Sequence, residues 1–271
     1  MRLLLPLALA LALAAPALAA PEHVSFATAD GWTIHADLAP AKEAGAPVAV
    51  LLHQYRADRS TWAPLLERLA AAGVHALALD QRAHGESTRK GEETVRVQAI
   101  EREAFAALVR DGHRDVEAAL AFLRGRGIGA KRVVLVGASY GCSVSVLASA
   151  GLPEVQALVL LSPGAGYFGV DVTKALARFR HPSLIVVAKG DGCFGDLPKL
   201  LESRPETPGR CHLVVAGKQH GTRLFGAAQQ VEAVGNEGGG SFVLPARGER
   251  VELPALLVRW VQAACAAPPT K

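Results

Sequence analysis

Six short, continuous apolar runs recur along the chain, and they constrain its fold more than any other feature of the sequence. The runs are PVAVLLH (47–53), VHALALD (74–80), KRVVLVG (131–137), VQALVLLSP (155–163), SLIVVAKGD (183–191) and CHLVVAG (211–217). Continuous apolarity over this length suits a strand covered on both faces, which is the condition of a parallel sheet. Segments with the helical period alternate with the runs, the last being 252–265. This alternation predicts a doubly wound α/β fold with a mostly parallel sheet.

Two further segments complete the expected architecture. Residues 23–38 alternate between apolar and polar side chains on either side of Asp30 and Gly31, which predicts an N-terminal antiparallel hairpin. The connection from Pro163 to Ser183 spans about twenty residues. That length leaves room for one short helix, so we expect no large cap domain.

The amino end, residues 1–19, has the pattern of a secretory signal peptide. Arg2 precedes an apolar stretch, and small residues at Ala17 and Ala19 occupy the positions that a signal peptidase reads. A membrane-spanning helix is the alternative, but the apolar stretch falls short of the ~20 residues that a bilayer requires. We therefore expect an exported protein, periplasmic or secreted, in which residues 20–271 form a single domain.

Charge patterning argues against two classes of partner. The formal net charge is only +4, and the basic residues are interspersed with acidic ones. A nucleic-acid or membrane partner therefore has little support. No apolar run after residue 19 is long enough to cross a bilayer, so we expect no integral membrane segment there. The patch GNEGGGS at 235–241 predicts a surface loop.

Ser139 lies between two glycines at the junction of an apolar run and a helical segment. A serine that ends a buried strand and turns at once into a helix has a strained backbone, and small neighbours such as Gly137 and Gly141 leave space for it. The turn places the hydroxyl at a helix amino terminus, where unpaired N–H groups favour a developing negative charge. An ordinary glycine-rich turn is the alternative. The strand before and the helix after favour Ser139 as a catalytic nucleophile.

A serine nucleophile needs a base, and the base needs a carboxylate that orients it. His212 and His220 lie downstream of the candidate acids, but His212 is inside an apolar run, so the loop residue His220 is the expected base. Asp191 is the expected acid because it ends an apolar run. Asp171 and Asp196 are the alternatives, and both lie farther from a strand end.

The tetrahedral intermediate of acyl transfer needs two N–H donors. We expect one from the backbone of Tyr140, which follows the nucleophile, and one from the loop after the first apolar run. No reacting group in this set requires a metal or an organic cofactor.

With these segments in order, the chain resembles the α/β-hydrolase superfamily, and within it the capless, dienelactone-hydrolase-like serine esterases. The resemblance is carried by LLHQYRADRSTW (51–62), LALDQRAHGES (77–87), GASYG (137–141), AKGD (188–191) and KQHG (218–221). It spans nearly all of residues 20–271. It implies a Ser-His-Asp triad, and it is specific for the fold and the triad rather than for the substrate.

Two motifs depart from the family pattern. Many members have His-Gly after the first parallel strand, where this chain has His53 and Gln54. The second oxyanion donor is therefore the N–H of Gln54 or of Tyr55, and we prefer Tyr55. The family also often has Arg-Gly-His-Gly where this chain has Arg-Ala-His-Gly at 82–85, a segment that resembles a structural turn.

The four cysteines permit two disulfide bonds in an exported chain. Cys142 and Cys193 are expected near the catalytic edge of the sheet, and Cys211 and Cys265 near the opposite edge. The predicted pairs are therefore Cys142 with Cys193 and Cys211 with Cys265. Four buried thiols are the alternative.

Taken together, the sequence predicts an exported serine hydrolase that cleaves a small-molecule carboxylic ester through an acyl-enzyme. A noncatalytic ligand-binding protein of the same fold is one alternative, which the complete set of reacting residues disfavours. An amidase or peptidase using the same triad is the other, and the sequence does not separate it from an esterase.

Overall fold

The computed structural model describes residues 20–129, 131–236 and 242–266, and the predicted signal peptide at 1–19 lies outside the described residues. The strands are β1 (Glu22–Ala27), β2 (Trp32–Ala39), β3 (Val48–Leu52), β4 (His75–Leu79), β5 (Arg89–Lys90), β6 (Glu93–Thr94), β7 (Val133–Ala138), β8 (Val155–Leu161), β9 (Ser183–Ala188), β10 (Arg210–Val215), β11 (Gln229–Asn236) and β12 (Arg250–Val251). The helices are α1 (Ala63–Ala71), α2 (Phe105–Asp111), α3 (His113–Gly125), α4 (Tyr140–Ser149), α5 (Thr173–Leu176), α6 (Leu197–Ser203) and α7 (Leu253–Ala266).

One mixed sheet runs through the whole molecule in the order β12-β11-β10-β9-β8-β7-β3-β4-β2-β5-β6, with β1 paired to β2. Its six central strands, from β10 to β4, are parallel. They are the six apolar runs of the sequence, and every residue of β3, β4 and β7 is buried. The prediction of a mostly parallel sheet is confirmed.

Helices cover both faces of the sheet, as a doubly wound fold requires. Successive residues of β3 alternate between two separate cores: Val48 and Val50 belong to one and Ala49 and Leu51 to the other. The first core contains the buried side chains of α2, α3 and α4, and the second contains those of α1 and α7. Apolar residues spaced three and four apart supply these contacts, which explains the helical period of the segments between the strands.

The N-terminal hairpin and the short connection are also as predicted. β1 and β2 pair antiparallel, with Ala27 opposite Thr33 on either side of the turn. The connection between β8 and β9 holds a single 3₁₀ turn, Tyr167–Gly169, and the four-residue α5, so it forms no cap. Among the described residues, no helix combines the length and apolarity needed to cross a bilayer.

The carboxyl-terminal edge of the sheet differs from the expectation. Gly235 and Asn236, the first residues of the predicted surface loop, pair with His212 and Cys211 as the end of β11. β11 carries polar and half-buried side chains at an edge of the parallel block, so it lacks the apolar run that marks the central strands. The rest of that loop, 237–241, lies outside the described residues.

The predicted disulfide bonds are wrong for this structure, in which all four cysteines, each in the described part of the chain, are thiols. Cys142 Sγ lies 3.2 Å from the carbonyl oxygen of Gly137 and 3.3 Å from that of Leu161, so the thiol is directed to the backbone of β7 and β8. Cys211 Sγ contacts Asn236 Oδ1 at 3.6 Å instead of Cys265. Burial raises the pKa of the Cys142 thiol well above its ordinary value, which keeps it protonated.

Candidate active site

Ser139 occupies the sharp turn between β7 and α4 and has a left-handed backbone, with φ of 54° and ψ of −122°. Two close approaches explain the glycines around it. A Cβ on Gly137 would lie 2.5 Å from the carbonyl oxygen of Gly141, and one on Gly141 would overlap the carbonyl oxygen of Leu52. The backbone N–H of Ser139 donates to the carbonyl of Leu161 at 2.9 Å, which anchors the turn to β8. Larger residues at 137 or 141 would force this strained turn apart.

Asp191 and His220 form a direct hydrogen-bonded contact at the same sheet edge. His220 Nδ1 lies 2.9 Å from each carboxylate oxygen of Asp191. Asp191 follows β9 and His220 follows β10, and the carboxyl ends of adjacent parallel strands meet at one edge. Burial acts to raise the pKa of Asp191, but hydrogen bonds with His220 and Ser162 outweigh burial and hold this pKa below its ordinary value. The carboxylate is therefore ionised and orients the imidazole.

Ser162 supports this pair, a role that the sequence patterns do not predict. Its Oγ accepts a hydrogen bond from the N–H of Gly221 at 2.9 Å, and its hydroxyl also bonds to Asp191. Ser162 follows β8, which lies between β7 and β9, and it has a positive φ of 53°. The available signal was a serine directly after the apolar run of β8.

The turn between β7 and α4 that carries Ser139, here called the serine turn, lies against the loop after β10 that carries His220, here called the histidine loop. A Cβ on Gly221, which follows His220, would lie 3.5 Å from the Cβ of Ala138, which precedes Ser139. In the described residues Asp191 is hydrogen-bonded to His220, whereas no hydrogen bond joins the Ser139 hydroxyl to the imidazole. Nucleophile-to-base contacts of this kind commonly tighten only when substrate binds.

The two alternative acids have other partners. Asp171 is exposed and accepts hydrogen bonds from the backbone and hydroxyl of Thr173 at 2.8 and 2.6 Å. Asp196 accepts one from the N–H of Ala165 at 2.9 Å. Both carboxylates stabilise the connection and α6 region rather than the imidazole.

His53 fixes the loop that follows β3. It is fully buried, its Nε2 accepts a hydrogen bond from the N–H of Gln81 at 3.1 Å, and its Nδ1 therefore carries the proton that it donates to the carbonyl of Gln54 at 2.8 Å. Ala57 N–H donates to the same carbonyl at 3.1 Å. Because a trans peptide points its N–H away from its carbonyl, the N–H of Tyr55 faces the opposite side from these two donors. Desolvation lowers the pKa of His53 to about 4, so this neutral tautomer persists at neutral pH.

The side chain of Gln54 links two loops of the site. Its Oε1 accepts a hydrogen bond from the Thr222 hydroxyl at 3.0 Å and thereby ties the loop after β3 to the histidine loop. The backbone N–H groups of Gln54 and Tyr55 donate no hydrogen bond to any described residue. Both N–H groups are thus available to bind an oxyanion. The N–H of Tyr55 is the better candidate, because the Gln54–Tyr55 peptide is fixed by its hydrogen-bonded carbonyl.

The segment 82–85 is a structural turn, as expected from its sequence. Arg82 donates to Asp115 from Nε at 2.9 Å and from Nη2 at 2.7 Å, and to Asp30 from Nη1 at 2.8 Å. A Cβ on Gly85 would overlap the carboxylate of Asp80, so glycine is required there. Burial lowers the pKa of His84 to about 3, which makes this imidazole a neutral packing group.

Aromatic side chains surround the serine turn. Phe168 packs on Phe105 with ring centroids 4.3 Å apart and on Tyr55 at 5.1 Å. Tyr167 donates its hydroxyl proton to the carbonyl of Ser162 at 2.9 Å, and its ring lies edge-on to His220 at 6.4 Å. Aromatic side chains of this kind suit contact with an apolar or aromatic group of a small molecule. The sequence alone places Tyr167 and Phe168 in the connection from Pro163 to Ser183 and does not locate their side chains.

Two groups of side chains in the described residues have potential metal-ligand atoms within 4.8 Å of one another. One consists of Asp191, Cys193 and His220, whose imidazole and carboxylate already bond to each other. Burial raises the pKa of Cys193, which keeps the thiol protonated and makes it a weak metal ligand. The other group, His23, His35 and Glu86, lies on β1, β2 and the turn after β4.

Comparisons with known proteins agree with this architecture. A model of the alpha/beta hydrolase family matches residues 49–267. The chain is similar to an esterase of Pyrococcus furiosus at 17% identity, with a TM-score of 0.58 over 76% of this chain and 83% of that one. It is similar to a cold-adapted esterase from an Arctic intertidal metagenomic library at 19% identity, with a TM-score of 0.58 over 73% of this chain and 85% of that one.

A third similar structure is a putative alpha/beta hydrolase of unknown function from Agrobacterium tumefaciens, at 19% identity and a TM-score of 0.58 over 72% of this chain and 85% of that one. No curated protein sequence matches the chain. At identities of 17% to 19%, the similarity to these solved structures shows a shared fold only. Family membership rests on the family model, which covers most of the length of the chain. The chain therefore belongs to the alpha/beta hydrolase family.

Proposed function

We propose that the protein is a serine hydrolase that cleaves carboxylic esters of small molecules. Ser139 is the nucleophile, His220 the general base and acid, and Asp191 the carboxylate that orients the imidazole. The backbone N–H groups of Tyr140 and Tyr55 are the oxyanion donors. The observation that carries the proposal is the 2.9 Å contact of His220 Nδ1 with the Asp191 carboxylate, beside a serine in a strained strand-to-helix turn.

The reaction proceeds in two halves. His220 Nε2 takes the proton of the Ser139 hydroxyl as Oγ attacks the ester carbonyl, and the imidazolium that forms is stabilised by Asp191. The tetrahedral oxyanion accepts hydrogen bonds from the two N–H donors, and its collapse expels the alcohol, which takes the proton from His220. Water then attacks the acyl-enzyme with His220 as its base and releases the acid.

Two facts support the hydrolysis of a small-molecule ester. Two of the similar solved structures are named as esterases. The connection between β8 and β9 carries no cap, so the edge with Ser139 admits a small substrate without a lid.

Hydrolysis of a short p-nitrophenyl ester tests the proposal. Wild-type protein should turn over the ester, and Ser139→Ala should lower kcat by about 10⁴-fold or more. Ser149→Ala is the matched control, because Ser149 lies at the other end of α4 and its hydroxyl donates to the carbonyl of Val146 in the same helix. Equal loss in both variants, or retained activity in Ser139→Ala, contradicts the assignment. Parallel assays with the corresponding p-nitroanilide separate esterase from amidase activity.

We also propose that the protein is exported and acts in the periplasm or outside the cell. The support is the pattern of residues 1–19, with an apolar stretch that ends in Ala17-Leu18-Ala19. Amino-terminal sequencing of the protein expressed from its full coding sequence should find Ala20 or Pro21 first. Recovery of the chain with Met1 or Arg2 still present contradicts export by cleavage.

A further inference from the structure

Three side chains outside the proposed active site bring potential metal ligands together on the surface. His23 lies in β1, His35 in β2, and Glu86 in the turn after β4. His23 Nε2 is 3.2 Å from His35 Nδ1 and 3.6 Å from Glu86 Oε2, and His35 Nδ1 is 3.7 Å from the same oxygen. The three atoms form a nearly equilateral triangle.

The size of this triangle matches the face of a tetrahedral metal site. Zinc binds imidazole nitrogen and carboxylate oxygen at about 2.0–2.1 Å, so the ligand atoms of a regular tetrahedron lie ~3.3 Å apart. The observed separations of 3.2 to 3.7 Å bracket that value. Small rotations of the exposed His23 and Glu86 side chains would complete the geometry, with water as the fourth ligand.

The surroundings provide the hydrogen bonds that metal ligands usually have. His23 Nδ1 lies 3.2 Å from Asp37 Oδ1, the arrangement in which a carboxylate holds the far N–H of a zinc-bound histidine. Glu86 Oε1 is held by Arg59 Nη2 at 2.6 Å, which leaves Oε2 directed at the two imidazoles. Arg59 Nη2 also lies 3.1 Å from His23 Nδ1, so the guanidinium must turn toward its carboxylate partners when this nitrogen carries the proton.

The local charge favours a cation. The Arg59 guanidinium is the positive group of the cluster, and it bonds to three carboxylates, those of Asp37, Asp80 and Glu86. The carboxylates therefore exceed the guanidinium by two negative charges. A bound divalent cation balances this excess.

We propose that His23, His35 and Glu86 form a binding site for a zinc-class divalent cation, separate from the catalytic edge. Two imidazoles and one carboxylate favour Zn²⁺, Co²⁺ or Ni²⁺, whereas Mg²⁺ and Ca²⁺ prefer oxygen ligands. The ion would join the β1–β2 hairpin to the turn after β4. It would therefore stabilise the N-terminal edge of the sheet rather than take part in the reaction.

Calorimetric titration of the tag-free protein with ZnCl₂ tests the site. We expect the wild-type protein to bind one equivalent of Zn²⁺. The affinity should fall at least tenfold in His23→Ala and in Glu86→Gln, and it should be unchanged in His113→Ala. His113 is the matched control because it is also exposed and lies 3.9 Å from a carboxylate, that of Glu117. Circular dichroism of each variant verifies folding.

Two further measurements give independent readouts. Co²⁺ should produce the intense visible absorption of a tetrahedral site in wild-type protein and in His220→Ala, but not in His23→Ala. Zn²⁺ should also raise Tm of the wild type and not that of His23→Ala, and Mg²⁺ should leave Tm unchanged. Equal Zn²⁺ affinity of wild type and His23→Ala, absence of binding, or loss of binding only in His220→Ala would overturn the proposal.

Discussion

At the residue scale, Asp191 shows how burial and hydrogen bonding are balanced in the proposed active site. Its side chain is nearly buried, which disfavours the charged form, yet hydrogen bonds with His220 and Ser162 keep its pKa below the ordinary value. The N–H of Cys193 adds a third donor at 3.3 Å. A carboxylate stabilised in this way can hold an imidazolium without taking its proton.

We predict that Asp191→Asn lowers kcat for ester hydrolysis by about 10³- to 10⁴-fold, because the amide disfavours the imidazole tautomer that the serine needs. Asp171→Asn and Asp196→Asn are matched controls and should change kcat by less than about threefold, since their carboxylates contact the backbone away from His220. Steady-state kinetics of the three variants decide the assignment. A large loss in a control with a small loss in Asp191→Asn would reverse it.

His53 is a positioning residue in this account. Its Nδ1–H holds the carbonyl of Gln54 and so directs the N–H of Tyr55. We predict that His53→Ala lowers kcat roughly tenfold to a hundredfold with little change in KM. His53→Asn should recover much of the loss, because its amide nitrogen reaches the position of Nδ1. If both variants lose the same activity, or KM rises with kcat unchanged, the peptide is not held in this way.

At the element scale, the turn from β7 into α4 is closely packed against its neighbours. Gly141 places the first turn of α4 directly on the backbone of Leu52 at the end of β3. The helix amino terminus and the loop of the proposed oxyanion donors are therefore held together by backbone contact. The atoms in contact belong to the backbone of α4 and of β3, so no flexible side chain can move aside to relieve a clash.

We predict that Gly141→Ala destabilises the protein by about 3 kcal/mol, because the added methyl group meets a backbone carbonyl. Gly151→Ala is the matched control: it lies just beyond the end of α4, where a Cβ meets nothing within 4 Å, and should change stability by less than about 1 kcal/mol. Urea unfolding followed by circular dichroism measures both. Equal stability of the two variants would show that α4 can shift away from β3.

Elements with a strong apolar signal could be predicted from the sequence, and elements without one could not. The six central strands and the serine turn are marked by continuous apolarity and by the glycines at 137 and 141. β11 is polar and pairs along one edge of β10, so its formation depends on a neighbour that the local sequence does not specify. The loop of Tyr167 and Phe168 is likewise set by packing, since Phe168 takes a positive φ of 53° against Phe105.

At the scale of the whole molecule, the site exists because four strands end at one edge. β7 carries Ser139, β8 Ser162, β9 Asp191 and β10 the loop with His220, and these strands are neighbours in that order. Strand order could be expected from the resemblance to a known family. The support by Ser162 could not, because it depends on the register of β8 beside β9.

Acid should lower the free energy of unfolding, because protonation of the buried imidazoles is disfavoured in the folded protein. The pKa of His53 falls from 6.5 to about 4 on folding, so between these values the unfolded chain binds a proton that the folded protein excludes. Stability is therefore complete above about pH 6.5 and decreases as the pH falls toward 4, by about 3 kcal/mol for this residue. His84, with a pKa of about 3, acts in the same direction.

Urea unfolding at pH 7 and near pH 4 measures this dependence. We predict that the wild type loses more stability on acidification than His53→Asn, which cannot titrate at this position. The same loss in both proteins would show that His53 does not control the acid sensitivity.

The most direct test of the central claim is to identify the residue that reacts with a fluorophosphonate. Serine hydrolases react with this reagent at the activated catalytic serine. After reaction, tandem mass spectrometry should place a single adduct on Ser139, and His220→Ala should slow its formation at least a hundredfold. An adduct on another residue, or undiminished ester turnover and no adduct after exposure to the fluorophosphonate, would contradict the proposed triad.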